Sequence, residues 1–328
     1  MNTFGRIYRI SIFGESHGPL VGVTIDGIPP GIKLSPSDFT SDLLRRKSGR
    51  KGTTPRTEDD IPEIVAGWFN EHTTGAPLTI IFRNNNTKSK DYNKLRDIPR
   101  PGHSDFVAHS KFDGYNDYRG GGHFSGRLTL ALVAAGVVAK KVIPQISIAA
   151  KLIEAGGKTD IDLAIEEAQK QNDSIGGIVE CVATGIPIGL GEPFFDSAES
   201  VISHLAFAIP AIKGIEFGSG FAASRMKGSE HNDSIIESSG KTATNNAGGI
   251  TGGITNGNPL VFRIAVKPTS SISKPQQTLN IKTGKVDTLT VEGRHDTCIA
   301  LRVPVVAEAI TAIALADLLL VEKARKNR

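Results

Sequence analysis

The stretch that most constrains the fold of this 328-residue chain is its last long apolar run, Val303 to Val321. It has the length of a membrane span, but Pro304, Glu308 and Asp317 interrupt it, and charges inside a bilayer are costly. The run is therefore expected to be a helix buried in the protein or at an interface. Pro304 stands early, where a missing N–H is tolerated, and Lys323, Arg325 and Lys326 close the helix with charges that suit its dipole.

The rest of the chain supplies short elements to cover it. Six segments are strand-like: Arg6–Phe13, Val21–Ile25, Pro62–Trp68, Leu78–Arg83, Ile175–Ala183 and Leu260–Val266. Each is rich in β-branched residues and bounded by Gly, Pro or Asn. Helices are expected over Pro36–Lys47, Ser125–Val142, Ile161–Gln171, Ala198–Ala208 and Pro304–Lys326, the first opened by Ser35 as cap, Pro36 and Asp38. Strands do not alternate regularly with helices, which argues against a doubly wound parallel sheet. The expected fold is α+β, a layered β-α-β sandwich with helices packed between antiparallel sheets, in a single domain over residues 1–328.

Composition narrows the class. With 39% hydrophobic and 22% charged residues the chain is neither disordered nor fibrous. Cys181 and Cys298 alone give neither a disulfide framework nor a metal-binding spacing, so no metal site is expected. Met1 to Phe13 alternates like a strand rather than a signal segment, and a cytoplasmic protein is expected. Glycine is in excess, 36 residues against a usual ~7% of a chain, and falls in short runs that imply turns or close backbone approach to a ligand.

The chemistry-bearing residues sit on those runs. Gly14-Glu15-Ser16-His17-Gly18 presents His17 as a general acid, with Ser16 able to hold a substrate oxygen. Arg100-Pro101-Gly102-His103-Ser104-Asp105 presents a second histidine, His103, after a Pro-Gly turn. Two such histidines suit a reaction in which two different groups take protons, whereas either alone could be a solvated turn. Gly120-Gly121-Gly122 runs through His123 and Phe124 into a helix opened by Ser125, a candidate anion or cofactor site. It has neither the P-loop ending nor the dinucleotide spacing. A second glycine stretch, Asn245 to Gly257, precedes Lys267-Pro268-Thr269-Ser270-Ser271, whose lysine and hydroxyls suit a phosphate. Arg45 to Arg56 is strongly basic. It could be a solvated face, a nucleic-acid contact or a lid over an anionic small molecule, and aromatics at only 6% weaken the nucleic-acid reading.

Taken in order, these runs resemble the chorismate synthase family over nearly the whole chain. The matches are Gly14–Gly18, Asp117–Gly122 and Gly293-Arg294-His295-Asp296, with further likeness at Asp26–Gly31, Thr73–Gly75, Asp173–Gly176, Gly189–Pro193 and Lys267–Ser271. The resemblance implies an FMN-dependent lyase that forms chorismate by anti 1,4-elimination of phosphate and a ring proton from 5-enolpyruvylshikimate 3-phosphate. It implies reduced FMN, which lends electron density as phosphate leaves. Carried over by position, His17 would protonate or polarise the flavin, His103 would donate to the departing phosphate, and Asp296 would assist proton removal. Ser16 and Ser125 would support positioning. Arg46, Arg50, Arg119 and Arg127 would hold the substrate's anionic groups. His123, Phe124, Ser125, Lys267, Pro268, Thr269, Ser270, Ser271 and Arg294 would line FMN, with Ala211 and Gly252 giving close backbone approach. A homotetramer is also implied, with flavin reduction by NADPH or an external reductase left open. Three departures stand out: His123 and Leu128 replace a family arginine and glutamate, the basic loop lacks the usual proline, and the Pro144–Asn172 segment is short. A flavin oxidoreductase acting on an anionic ring and a basic-loop nucleic-acid binder are the competing readings.

Overall fold

The structure, a computed structural model, describes residues 2–54, 58–85, 93–291, 293 and 295–326. The first sheet contains β1 (Thr3–Phe4), β2 (Arg9–Gly14), β3 (Leu20–Asp26), β4 (Glu63–Ala66) and β5 (Leu78–Arg83), in the order β1-β2-β3-β5-β4. The second contains β6 (Ser147–Ala155), β7 (Gly177–Thr184), β8 (Ile212–Phe217) and β9 (Leu260–Val266), in the order β8-β9-β7-β6. Every pairing within the two sheets is antiparallel. Among the helices are α1 (Thr40–Arg46), α2 (Thr129–Val142), α3 (Ile161–Lys170), α4 (Ala198–Ala206) and α5 (Val303–Lys326), with short ones at Asn93–Asp97, Asp105–Lys111 and Gly228–His231. Helix α2 packs on β3 of the first sheet, α5 packs on β6 and β7 of the second, and the two helices pack on each other. This is the α+β sandwich expected, with a helical layer between sheets.

Helix α5 is buried on all sides over Val305–Leu319, which accounts for its apolar composition without a bilayer. Ile310 and Ile313 are fully buried, and each such side chain contributes ~1.5–3 kcal/mol of transfer free energy. Gly136 on α2 lets the two helices approach closely: a Cβ there would lie 2.4 Å from the Cβ of Ala309. The two carboxylates that interrupt the run both have work inside the protein. Asp317 accepts the N–H groups of Arg6, Ile7 and Tyr8 at 2.8–3.0 Å and so anchors the entry to β2. Glu308 accepts both guanidinium arms of Arg45 (2.7 and 2.6 Å) and the N–H of Ala150 (2.9 Å). Buried charges persist when paired and hydrogen-bonded in this way.

Two sheet strands, β6 and β8, were not expected from the sequence. The β6 segment Ser147–Ala155 is rich in Ala, Lys, Leu and Glu, which favour helix. Its pairing with β7 along a sheet edge overrides that preference. The expected strand Pro62–Trp68 divides at Gly67, with Trp68–Phe69 pairing to His72–Thr73 instead.

Candidate active site

A cleft of about 720 Å³ opens at one end of the sandwich. Its walls come from β1 and β2, the loop after α1, the loops carrying His103 and Ser125, the end of α4, and the segments 267–271 and 295–302. Residues separated by up to the length of the chain thus converge because both sheets and both central helices end there.

The glycine run 120–122 is the hub. All three residues have positive φ (59, 82 and 53°), a conformation that favours glycine. The carbonyl of Gly122 accepts the Ser16 N–H at 3.1 Å, and His123 Nδ1–H donates to the Gly14 carbonyl at 2.8 Å. The first histidine turn is therefore clamped to the glycine run. A Cβ on Gly120 would lie 2.4 Å from Cδ2 of His17, and one on Gly121 3.3 Å from Cε1 of His103. Both histidines pack against one backbone segment. Ser16, Gly120, His123, Phe124 and Ser125 line the cleft, whereas His17, 6% exposed, packs against Gly120 and is not itself a lining residue. Ser125 caps the turn Gly126–Leu128, its Oγ accepting the Arg127 N–H at 3.3 Å.

The second histidine is held by charge. His103 Nδ1 lies 2.6 Å from Asp105 Oδ1. Arg100 binds the same carboxylate through Nε (2.7 Å) and Nη2 (2.8 Å), and reaches Ser271 Oγ through Nη1 (3.0 Å). Burial opposes ionisation of Asp105, but Arg100 and His103 outweigh it and hold its carboxyl well below the usual range. Lys267 and Ser270 fasten the neighbouring loop by bonding the Gly102 carbonyl at 3.0 and 2.8 Å. Burial, with Lys213 nearby, lowers the Lys267 ammonium pKa. Ala211, at φ 76°, accepts the Lys267 N–H through its carbonyl (2.9 Å) and also lines the cleft, as do Pro268, Thr269 and Ser271.

The same lining carries buried positive charge. Asp60 bridges two buried arginines, Arg46 at 3.0 Å and Arg127 at 2.9 Å. Burial lowers the Arg46 pKa to about 10, with Arg302 pushing the same way and Asp60 opposing, so Arg46 remains charged at neutral pH. Arg302 donates to the Arg46 carbonyl (3.0 Å) and to Asp296 Oδ2 (3.4 Å). Asp296 also accepts the Thr54 N–H at 2.9 Å, and Gly52 accepts the Cys298 N–H at 3.0 Å. The basic loop is thus pinned onto the segment that carries Asp296. Its Arg45 and Arg46 turn inward, to Glu308 and Asp60.

Three other residues singled out in the sequence do not reach this cleft. Arg50 is exposed and donates to the Arg45 carbonyl. Arg119 forms a two-pronged pair with Asp117, both distances 2.8 Å, outside the cleft. Gly252 lies exposed on a separate turn with nothing within 4 Å of a Cβ there. Arg294 lies outside the described residues. Conversely, Arg100, Asp105, Asp60 and Arg302 were given no role from the sequence. Arg100 and Asp105 stood in the His103 run itself, where the flanking opposite charges were the available signal. Among the described residues no cluster of three His, Cys, Asp or Glu side chains is set to hold a metal ion. Burial pushes the Cys181 thiol up to about 12, as suits a packing residue in the core.

Comparison with known proteins fits this geometry. A profile of the chorismate synthase family matches residues 8–320. The chain belongs to the chorismate synthase family. A chorismate synthase of Chitinophaga pinensis is 67% identical over 329 residues, covering 100% of this chain and 99% of its own. One from Dehalococcoides mccartyi is 46% identical over 351 residues, covering 97% and 96%. A crystal structure of a chorismate synthase superposes with a TM-score of 0.75 at 27% identity, covering 97% of this chain and 93% of the other. The family is one of lyases, so the chain is an enzyme.

Proposed function

We propose that the cleft converts 5-enolpyruvylshikimate 3-phosphate to chorismate beside reduced FMN, with residues 1–328 acting as one catalytic unit in the cytoplasm. One observation carries the reading: His17 and His103 pack on the same glycine run, beside a cleft lined by the buried, Asp60-paired Arg46 and Arg127. The residues fit a phosphate-bearing, ring-shaped cofactor. Thr269 Oγ1 and Arg46 Nε, both in the cleft wall, are buried without a hydrogen-bond partner among the described residues, and such groups ordinarily have one. Lys267 and the hydroxyls of Thr269, Ser270 and Ser271 would hold the cofactor, with Pro268 and Ala211 shaping its bed and Phe124 and His123 at its rim. The chemistry reduced FMN supplies when bound is transient electron density for the allylic ring as phosphate departs.

The chain's own groups do the rest. Arg46 and Arg127, already fixed by Asp60, bind the substrate's anionic groups without reorganising. His103 holds a proton for the departing phosphate, His17 holds one beside the cofactor, and Asp296 assists removal of the ring proton. Ser16 and Ser125 orient the reacting groups. Arg50, Arg119 and Gly252 belong to this proposal as contacts that need loop closure or a second subunit, and Arg294 as a further cofactor contact. Phe194, Phe195 and Phe221, 86%, 93% and 77% exposed, support a homotetramer in which other copies cover them; sedimentation as a monomer would refute that. Adding 5-enolpyruvylshikimate 3-phosphate to the FMN-loaded protein should perturb the flavin spectrum, and anaerobic turnover with chemically reduced FMN should yield chorismate. No spectral change and no chorismate would sink the reading. Repeating the assay with NADPH and oxidised FMN tests whether the chain reduces its own cofactor.

A further inference from the structure

We propose that Asp105 is a positioning residue that fixes the tautomer and ring orientation of His103. The inference rests on the reading of His103 as the acid that protonates the departing phosphate. Asp105 Oδ1 lies 2.6 Å from His103 Nδ1, and the Asp105 side chain is only 8% exposed. Arg100 Nη2, a donor only, also lies 3.1 Å from this nitrogen, but its shorter bond, 2.8 Å, goes to Asp105 Oδ1. The carboxylate is the nearer group, and an imidazole lone pair facing it at 2.6 Å would be repelled, so Nδ1 carries a proton and Nε2 is the nitrogen left to meet the substrate. Arg100 fixes the carboxylate in turn. Its Nε and backbone N–H reach Oδ2 at 2.7 and 3.1 Å and its Nη2 reaches Oδ1 at 2.8 Å, while Nη1 bonds Ser271 at 3.0 Å. The ring is thereby referenced to the neighbouring segment 267–271, which also lines the cleft. Gly121 lets the glycine run pass the other edge of the ring, its ideal Cβ 3.5 Å from Nε2.

The proton balance is simple. In the imidazolium both nitrogens carry hydrogen. The Nε2–H bond breaks, an O–H bond forms on the leaving phosphate, and the ring is left neutral with its remaining proton on Nδ1, where Asp105 accepts it. Solvent restores the Nε2 proton after phosphate departs. Asp105 stays ionised throughout and never touches the substrate, which separates its role from that of His103.

The test uses full-length, FMN-loaded protein labelled with ¹⁵N-histidine. In the wild type, His103 should show the Nδ1–H tautomer when neutral; the Nε2–H tautomer overturns the proposal whatever the variants do. Asp105→Asn should lower kcat by between about 10- and 10³-fold, within what a general acid supplies, while substrate KM and FMN affinity change less than about twofold. Asp105→Glu, which keeps the carboxylate paired with Arg100 and so guards against a folding defect, should recover part of the rate. The deciding arm is the double variant: Asp105→Asn should cost nothing further in a His103→Ala background, because it acts through that ring. A full additional loss there would make Asp105 merely structural and refute the inference. If His103→Ala alone turns over at the wild-type rate, the acid reading itself has failed and the inference falls with it, an outcome distinct from additivity.

Discussion

The sharpest consequence of the cleft's construction is the effect of one methyl group on Gly120. Two costs arise in Gly120→Ala. The residue holds φ 59°, a left-handed conformation that costs an L-residue ~1–2 kcal/mol. The added Cβ would also lie 2.4 Å from His17 Cδ2, 2.7 Å from Nε2 and 3.0 Å from Ser16 Oγ. Carbon atoms rest at about 3.5 Å or more, so His17 or the glycine run must move by about 1 Å. His17 is only 6% exposed and has little room to retreat, and overpacking of this kind costs ~1–3 kcal/mol. The stability loss is therefore ~2–5 kcal/mol if nothing yields. If the ring does yield, a displacement of about 1 Å lowers turnover by about 10²-fold. Chorismate formation under anaerobic conditions and urea denaturation measure the two limbs. Gly157→Ala is the control, because Gly157 has φ 81° with nothing within 4 Å of a Cβ, so it reports conformational strain alone. The reasoning is refuted if Gly120→Ala keeps wild-type turnover and loses no more stability than Gly157→Ala.

Other expectations are equally direct. Gly136→Ala should cost ~1–3 kcal/mol by forcing α2 from α5, because its Cβ would meet Ala309 Cβ at 2.4 Å and the backbone Cα at 2.5 Å; an unchanged urea midpoint would mean that the close approach does not matter. Asp296→Asn should leave substrate bound but stall turnover, and a near wild-type rate would reduce Asp296 to a partner of Arg302 and Thr54. Because Arg100 and His103 lower the Asp105 pKa in the folded state, the stability they lend is full above the ordinary carboxylate pKa of ~3.9 and is lost as pH falls below it. The urea midpoint should therefore fall less steeply with acid in Asp105→Asn than in wild type, and parallel profiles would contradict the pairing.

The sequence by itself determined the layer that everything else is hung on. The all-round apolar run ending in basic residues could only be a covered helix, and α5 is one. It also determined the segments that carry the chemistry, because glycine runs beside His17, His103 and Ser125 mark positions where backbone conformation matters more than side-chain packing. The boundaries of β5 and β9 were legible to the residue from β-branched composition. β6 was not, since its local preference is helical and only pairing with β7, at the edge of the second sheet, makes it a strand. The same limit governs the site. Arg46 and Arg127 are ordinary basic residues along the chain, and nothing local says that Asp60 will meet them; Arg100 and Asp105 share one run, but nothing local says that Arg100 will also reach Ser271. Their roles depend on distances between segments up to 171 residues apart, which are set when two sheets close over α2 and α5. The tertiary structure also turned Arg45 inward to Glu308 and left Arg50 and Arg119 outside the cleft. Local preference chooses elements and turns; which charges are buried together follows only from packing.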